Sequence, residues 1–76
     1  MSQTRIEFEG TVTENRRGLG YNSVTVADTQ GKRFLFTVKS QQMREGWQVK
    51  GSGVDEREIY GGKIFLAQVR VRRQGR

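Results

Sequence analysis

The most regular feature of the chain is an alternation of apolar and polar side chains that recurs in several short segments. In residues 5–13, Ile6, Phe8 and Val12 alternate with charged and hydroxyl-bearing residues. This is the two-residue period of a half-buried strand. The same period recurs at residues 22–28, 32–40, 47–54 and 64–72. The pattern predicts five short β-strands and an all-β protein.

Turn-forming residues separate the predicted strands. Residues 14–22 hold glycines and asparagines around two arginines and predict a mobile loop or an irregular hairpin, and residues 55–63 predict a charged turn. Asp28 and Gly31 predict a tight hairpin between the second and third strands. Residues 40–46 predict one or two turns of helix between the third and fourth strands, ended by a glycine.

Glycines inside the predicted strands favour a closed barrel. Gly10, Gly51 and Gly53 occupy strand positions, where glycine is unfavourable unless the backbone bends, bulges or approaches another strand closely. Strands of a small barrel must coil in this way, and closure removes the unpaired edges of a five-stranded sheet. With 76 residues the chain is too short for two cores. We expect one domain over residues 1–76, a small five-stranded Greek-key barrel, with residues 74–76 frayed.

Composition narrows the function. The chain has no cysteine and no histidine, which excludes disulfides, thiolate metal sites and the usual neutral-pH acid/base group. Asp28, Asp55, Glu56 and Glu58 lie in predicted turns, with no nucleophile and base pair in evidence. We expect a protein that is not an enzyme and that uses neither cofactor nor metal. The chain shows no cleavable signal and no apolar run of ~20 residues, so a soluble, cytoplasmic protein without membrane association is expected.

The charge points to a polyanionic partner. Fourteen Lys and Arg residues against eight Asp and Glu residues give a net charge of +6. A small domain this basic is biased toward polyanions, and nucleic acid is the first of these to consider.

The order of the segments resembles a known fold family. "FEGTV", "VTVADTQGKRFLFTV", "MREGWQVKGSGV" and "IFLAQVRV" follow one another as in the oligonucleotide/oligosaccharide-binding (OB) fold. The chain resembles its nucleic-acid-binding domains of anticodon-binding and single-stranded-DNA-binding type over about residues 5 to 73. These motifs are structural, and a fold by itself does not fix a function. The relatives often carry an acidic tail, whereas this chain ends with basic residues.

The resemblance implies where a ligand would lie. In such barrels the ligand crosses the outer face of the second and third strands, between the loops that join strands one and two and strands four and five. If Val24, Val26, Phe34, Phe36 and Val38 point inward, the two-residue period directs seven side chains outward. These are Tyr21, Ser23, Thr25, Arg33, Leu35, Thr37 and Lys39.

Single-strand binding needs cations that follow the phosphates and flat rings on which bases stack. The predicted nucleic-acid-binding residues are Arg16, Arg17, Tyr21, Arg33, Lys39, Trp47, Arg57, Tyr60, Lys63, Arg70 and Arg72. Arg16 and Arg17 would form one wall of the site from the first loop, and Arg57 and Lys63 the other wall. Arg70 and Arg72 would extend a phosphate track along the last strand. The sequence leaves open whether the rings of Trp47 and Tyr60 stack on bases or cover the barrel ends.

Two functions remain open at this stage. The first is a largely sequence-independent module that binds single-stranded DNA or RNA. The alternative is a protein-interaction adaptor that docks the same barrel on a partner in a replication, transcription or translation complex, through Leu35, Ile64 and Leu66. The sequence does not distinguish DNA from RNA, and it leaves open a protein partner or a homodimer.

Overall fold

Five strands form the part of the chain that the computed structural model describes, which is residues 4–39, 43–59 and 62–74. They are β1 (Arg5–Arg17), β2 (Asn22–Ala27), β3 (Arg33–Val38), β4 (Gln48–Ile59) and β5 (Lys63–Arg73). The strands close into a barrel in the order β1-β2-β3-β5-β4. Neighbouring strands are antiparallel except β3 and β5, which run parallel. The predicted all-β, five-stranded closed barrel is confirmed. The described residues include no helix of the length and apolarity needed to span a membrane.

The barrel core consists of side chains that alternate inward along the strands. Phe8 packs against Phe34 and Phe36, with ring centroids 5.4 and 5.5 Å apart. The five side chains predicted to point inward from β2 and β3 are all buried. Met43 is also buried, and its backbone carbonyl accepts a hydrogen bond from the side-chain amide of Asn15. The residues that follow the undescribed segment 40–42 therefore pack into the core.

Two strand glycines permit close approach of neighbouring strands. A Cβ on Gly10 would overlap the backbone carbonyl of Ala27, and one on Gly51 would overlap the carbonyl of Arg70 and lie 2.9 Å from the Cα of Val71. Backbone atoms at these positions cannot move aside without separating the strands. The predicted reason for glycine inside the strands is therefore confirmed.

The β2–β3 hairpin is closed by the aspartate that the sequence singled out. The Asp28 carboxylate accepts hydrogen bonds from the backbone N–H groups of Gln30 (2.9 Å) and Lys32 (2.8 Å). Gly31 adopts φ +84°, a conformation that glycine reaches without a Cβ penalty. The predicted turn is confirmed.

The two predicted connections, residues 14–22 and 55–63, are shorter than expected, because strands continue into both. β1 runs on to Arg17 instead of ending at Thr13, and β4 runs on to Ile59 through most of the predicted turn. In β1 the polar residues pair in register with β2, as Arg16 does with Ser23. Backbone pairing sustains the strand there although its side chains show no apolar alternation.

The predicted helix is absent from the described part of residues 40–46. Glu45 and Gly46 form a turn, and residues 40–42 lie outside the described chain. The Trp47 N–H closes this turn on the Arg44 carbonyl (3.1 Å), and the Gly46 N–H donates to the Val12 carbonyl of β1 (2.8 Å).

The expected fraying at the C-terminus is wrong at Gln74. Its backbone N–H donates to the carbonyl of Gln48 (2.7 Å), and its side chain donates to Glu9 (2.8 Å). Residues 75 and 76 lie outside the described chain.

Candidate nucleic-acid interface

A groove crosses the outer surface of β1, β2 and β3. The strand register places Glu14 beside Thr25 and Thr25 beside Leu35. Thr25 and Leu35 form the floor, and Arg16 from β1 and Lys63 from the start of β5 form the walls. We use "the groove" for the surface lined by Glu14, Arg16, Ser23, Thr25, Leu35 and Lys63.

Thr25 on the floor of the groove is almost completely covered. Its side chain points outward as the two-residue period requires, but only 3% of the residue is exposed. Its partners in register, Glu14 and Leu35, stand on either side of it and shield it from solvent.

Two cations in the groove converge on one carboxylate. The Arg16 Nε donates to Glu14 Oε2 at 2.8 Å, and the Lys63 Nζ lies 3.5 Å from Glu14 Oε1. The Arg16 guanidinium, through its hydrogen bond and charge, and the more distant Lys63 ammonium hold the pKa of Glu14 below its usual value. The carboxylate is therefore ionised at neutral pH and balances part of the positive charge of both walls.

Three further predicted residues lie beside the groove. Arg33 begins β3, Lys39 follows its last residue, and Tyr21 precedes β2; all three are exposed. The Tyr21 ring rests against Gly18, where an added Cβ would come within 3.0 Å of ring atom Cε1. Tyr21 therefore presents a supported aromatic face at one end of the groove, with 47% of the residue exposed.

Arg17 does not join Arg16. Both belong to the end of β1 and not to a loop, and successive side chains of a strand point to opposite sides. Arg17 lines a separate depression at the end of the barrel, beside Met43 and Arg44.

The second predicted wall is described only in part. Lys63 begins β5 and contributes to the groove. Arg57 pairs in register with Phe65, but its side chain lies outside the described structure, as does all of Tyr60.

For Trp47 the sequence left open whether the ring stacks on bases or covers a barrel end. It is half-buried and packs against the core, and the Arg73 guanidinium carbon lies 4.1 Å from the centroid of its ring. A cation at this distance over the indole is a stabilising cation–π contact. The ring is therefore covered by the protein's own arginine.

Arg70 and Arg72 lie on another side of the barrel. They share one outer face, as predicted, but this face is built from β4 and β5, where Lys50 pairs with Arg72 and Ser52 with Arg70. β4 is adjacent to neither β2 nor β3 in the barrel. We use "the β4–β5 face" for the surface lined by Lys50, Gly51, Ser52, Arg70, Val71 and Arg72, with Glu7 of β1 at its border. Arg70 and Arg72 line this depression and not the groove.

Sequence reasoning missed the role of Glu14 and misplaced Leu66. Glu14 and Arg16 are two residues apart and so share one side of a strand, but the prediction ended β1 before them. Leu66, predicted for a partner-binding surface, is buried in the core. Leu19, in the loop after β1, is 96% exposed and was not predicted as a surface feature.

Comparison with known proteins adds no family to this geometry. No protein-family model matches the chain, and no curated protein or solved structure is significantly similar to it.

Proposed function

We propose that the protein binds single-stranded nucleic acid in the groove, largely independently of sequence. The observation that carries the proposal is the convergence of Arg16 and Lys63, from opposite walls, on the two oxygens of the Glu14 carboxylate. Two cations that hold one carboxylate from two sides are also placed to hold a phosphate oxygen. A phosphate of the ligand would take over the contacts that Glu14 now occupies.

The residues around this point supply the other requirement of single-strand binding. Tyr21 offers an exposed ring for stacking, and base stacking on an aromatic side chain contributes about 1–3 kcal/mol per base whatever the base. Arg33 and Lys39 add exposed cations at the ends of β3. Phosphate contacts and stacking do not depend on which base is present, whereas hydrogen bonds to base edges do. We therefore expect binding without sequence preference.

The architecture supports the same proposal. We take the barrel to be of the OB type, because β1 pairs with both β2 and β4 and the β3–β5 pair is parallel. In OB folds the ligand crosses strands two and three between two loops, which is the position of the groove. This argument rests on analogy of fold and carries less weight than the side-chain geometry.

The adaptor alternative has weaker support. Of the three apolar residues predicted for a partner surface, Leu66 is buried and Leu35 and Ile64 are half-buried. An interface core needs apolar side chains that a partner can cover. Docking on a protein partner, including a second copy of the chain, remains a prediction from the sequence.

Fluorescence anisotropy with labelled oligo(dT) and oligo(U) at two salt concentrations tests the proposal. Binding should weaken steeply with salt, because each phosphate contact contributes about 0.7 to the slope of log K against log salt for single strands. The variant R16Q/K63Q should bind more weakly and with a shallower slope. The matched control K32Q/R44Q removes one lysine and one arginine outside the groove, both exposed.

The control separates the groove from net charge. If K32Q/R44Q weakens binding as much as R16Q/K63Q does, general charge attracts the ligand and the groove is not the site. The absence of binding by the unaltered protein at low salt would contradict the proposed function itself.

A further inference from the structure

The β4–β5 face gathers cations that the groove does not use. Strand register sets Lys50 directly opposite Arg72, and Arg70 lies two pairs further along, opposite Ser52. All three cationic side chains belong to the outer side of the barrel, in exposed residues. Like charges at directly opposed strand positions destabilise a sheet. Glu9, opposite Lys50 on β1, offsets part of this repulsion, but neither arginine lies opposite an acidic residue of β4.

These cations differ from those of the groove in lacking an internal partner. Among the residues that the structure describes, Lys50, Arg70 and Arg72 form no ion pair. On the neighbouring strand β1, the acidic residues in register are Glu7, opposite Ser52, and Glu9, opposite Lys50. Glu9 accepts a hydrogen bond from Gln74 instead of pairing with Lys50. The positive charge of this face is therefore available to an external anion.

The shape of the face suits a sugar–phosphate backbone. The face holds a depression of about 420 Å³, which is lined by the three cations together with Gly51, Ser52, Val71 and Glu7 from β1. Of the described aromatic side chains only Tyr21 is exposed, and it lies beside the groove. The β4–β5 face therefore offers phosphate contacts without stacking, which positions a strand but does not read its bases.

We infer that Lys50, Arg70 and Arg72 form a second binding site for single-stranded nucleic acid, so that one molecule holds two segments of strand at once. The second site stands on its own geometry, while simultaneous binding rests also on the proposed function of the groove. A protein with two such sites on different sides of one barrel would bring separate strands, or distant parts of one strand, together. The activity that follows is strand bridging.

Two matched variants separate the sites. R16Q/K63Q and K50Q/R72Q each remove one arginine and one lysine, so both lower the net charge by the same amount and differ only in the face affected. Native mass spectrometry counts the oligo(dT) strands bound per protein chain. An oligonucleotide of about eight nucleotides is suitable, because a barrel of this type covers about 4–16 nucleotides. Energy transfer between donor- and acceptor-labelled oligonucleotides reports bridging in solution. Thermal unfolding checks that both variants fold, and R16Q/K39Q replaces the groove variant if loss of the half-buried Lys63 impairs folding.

The unaltered protein should form a complex of one chain with two oligonucleotides and bring the two labels together. Each double variant should bind one oligonucleotide and lose energy transfer. K50Q/R72Q should also lower the salt slope of binding to a long oligo(dT), by about 0.7 for each phosphate that the variant no longer binds.

The contrary results distinguish this inference from the proposed function. The second site is overturned if the unaltered protein takes up only one oligonucleotide in the groove, or if K50Q/R72Q still bridges two strands. Bridging that depends on two protein chains in the complex would also overturn it. Binding that survives in R16Q/K63Q but disappears in K50Q/R72Q would instead remove the groove as a site and leave the β4–β5 face as the site of binding.

Discussion

The groove and the β4–β5 face are both basic, but they hold their charge in opposite ways. In the groove, Glu14 lies between Arg16 and Lys63 and neutralises part of their charge within the protein. On the β4–β5 face, Lys50 and Arg72 are neighbours in register and form no ion pair within the described structure, although Glu9 lies opposite Lys50 and Glu7 borders the depression. A ligand that enters the groove must break an ion pair of the protein, whereas one that meets the β4–β5 face breaks none of those described.

The two faces also differ in their linings. The groove is floored by the side chains of Thr25 and Leu35 and has an aromatic ring, Tyr21, at its end. The depression of the β4–β5 face is lined by its three cations with Gly51, Ser52, Val71 and Glu7, and its lining includes no aromatic ring. The first combination suits a strand whose bases stack, and the second suits a strand held by its phosphates. The difference shows that net charge alone does not describe how this protein would engage a polyanion.

Gly51→Ala should have the largest effect on the free energy of unfolding, because it adds a side chain where β4 lies against the backbone of β5. The new methyl group would overlap the Arg70 carbonyl and approach the Phe8 ring to 3.0 Å, and β4 and β5 could relieve this only by separating. Overpacking typically costs about 1–3 kcal/mol, and we expect the upper end here because the obstacle is backbone. At about 4–8 °C per kcal/mol for a domain of this size, thermal unfolding should shift down by roughly 10–20 °C.

Ser52→Ala is the control for this change, since it alters the adjacent residue of the same strand. It removes only the exposed hydrogen bond that Arg5 donates to the Ser52 hydroxyl, for which about 1 kcal/mol or less is expected. Equal melting temperatures for the two variants would mean that close approach of the strands does not require glycine at position 51.

The strand glycines also mark how far the sequence predicts the structure. The inward alternation at Phe8, Phe34 and Phe36 and the glycine at position 51 were sufficient to predict a closed five-stranded barrel, because side-chain period and close approach are local properties. The end of β1 was not predictable in the same way. Its residues pair through the backbone with β2 while their side chains are polar, so hydrophobic periodicity carries no signal there.

The division of the candidate site into two faces could not be predicted for a related reason. Period two places Arg70 and Arg72 on one side of β5, and it does the same for Arg16 on β1, but it does not say which strands lie between them. That depends on the order in which the barrel closes, with β4 between β5 and β1. Long-range pairing of this kind is not a property of any single segment.

Tyr21→Ala tests the second half of the comparison, that only the groove binds bases by stacking. Loss of one stacked base should weaken binding by about 1–3 kcal/mol, or roughly 5- to 150-fold. The salt slope should stay unchanged, because every cation that could bind a phosphate is still present. Anisotropy titrations at several salt concentrations measure both quantities.

Tyr21→Phe keeps the ring and removes only the hydroxyl, so it should bind nearly as the unaltered protein does. If Tyr21→Phe weakens binding as much as Tyr21→Ala, the hydroxyl and not the ring contacts the ligand. The contrast between a stacking groove and a phosphate-only face would then fail.

Glu14→Gln removes the internal anion and should make the groove resemble the β4–β5 face. With Arg16 and Lys63 released, affinity for oligo(dT) should rise, while the salt slope should change little, because the same two cations bind phosphate in both proteins. An unchanged affinity would show that Glu14 does not compete with the ligand for these cations.

The pH dependence of binding gives a second test of Glu14. Its pKa is lowered in the folded protein, chiefly by Arg16, so the carboxylate contributes to folding above its unfolded pKa, and this contribution is lost as pH falls through the lowered value. Protonation in that acidic range should free both cations and tighten binding. Glu14→Gln should lack this part of the pH response, while changes that arise from other carboxylates persist in both proteins.

Arg73→Gln should have the smallest effect, and it sharpens the distinction between cations that hold the fold and cations that hold a ligand. Arg73 follows Arg72 directly, yet its guanidinium lies over the Trp47 ring. Since Trp47 packs on the core and Arg73 is exposed, the contact should contribute about 0.5–1 kcal/mol. Its loss should lower the melting temperature by a few degrees and change strand bridging little.

Arg72→Gln should do the reverse, with little change in unfolding and reduced bridging, because Arg72 has no internal partner among the described residues. Thermal unfolding and energy transfer on the same pair of variants measure the two effects. If both substitutions reduce bridging equally, the contact of Arg73 with Trp47 does not keep Arg73 from binding the ligand. The contrast between cations that contact the protein and cations that are free to bind a ligand would then not apply to β5.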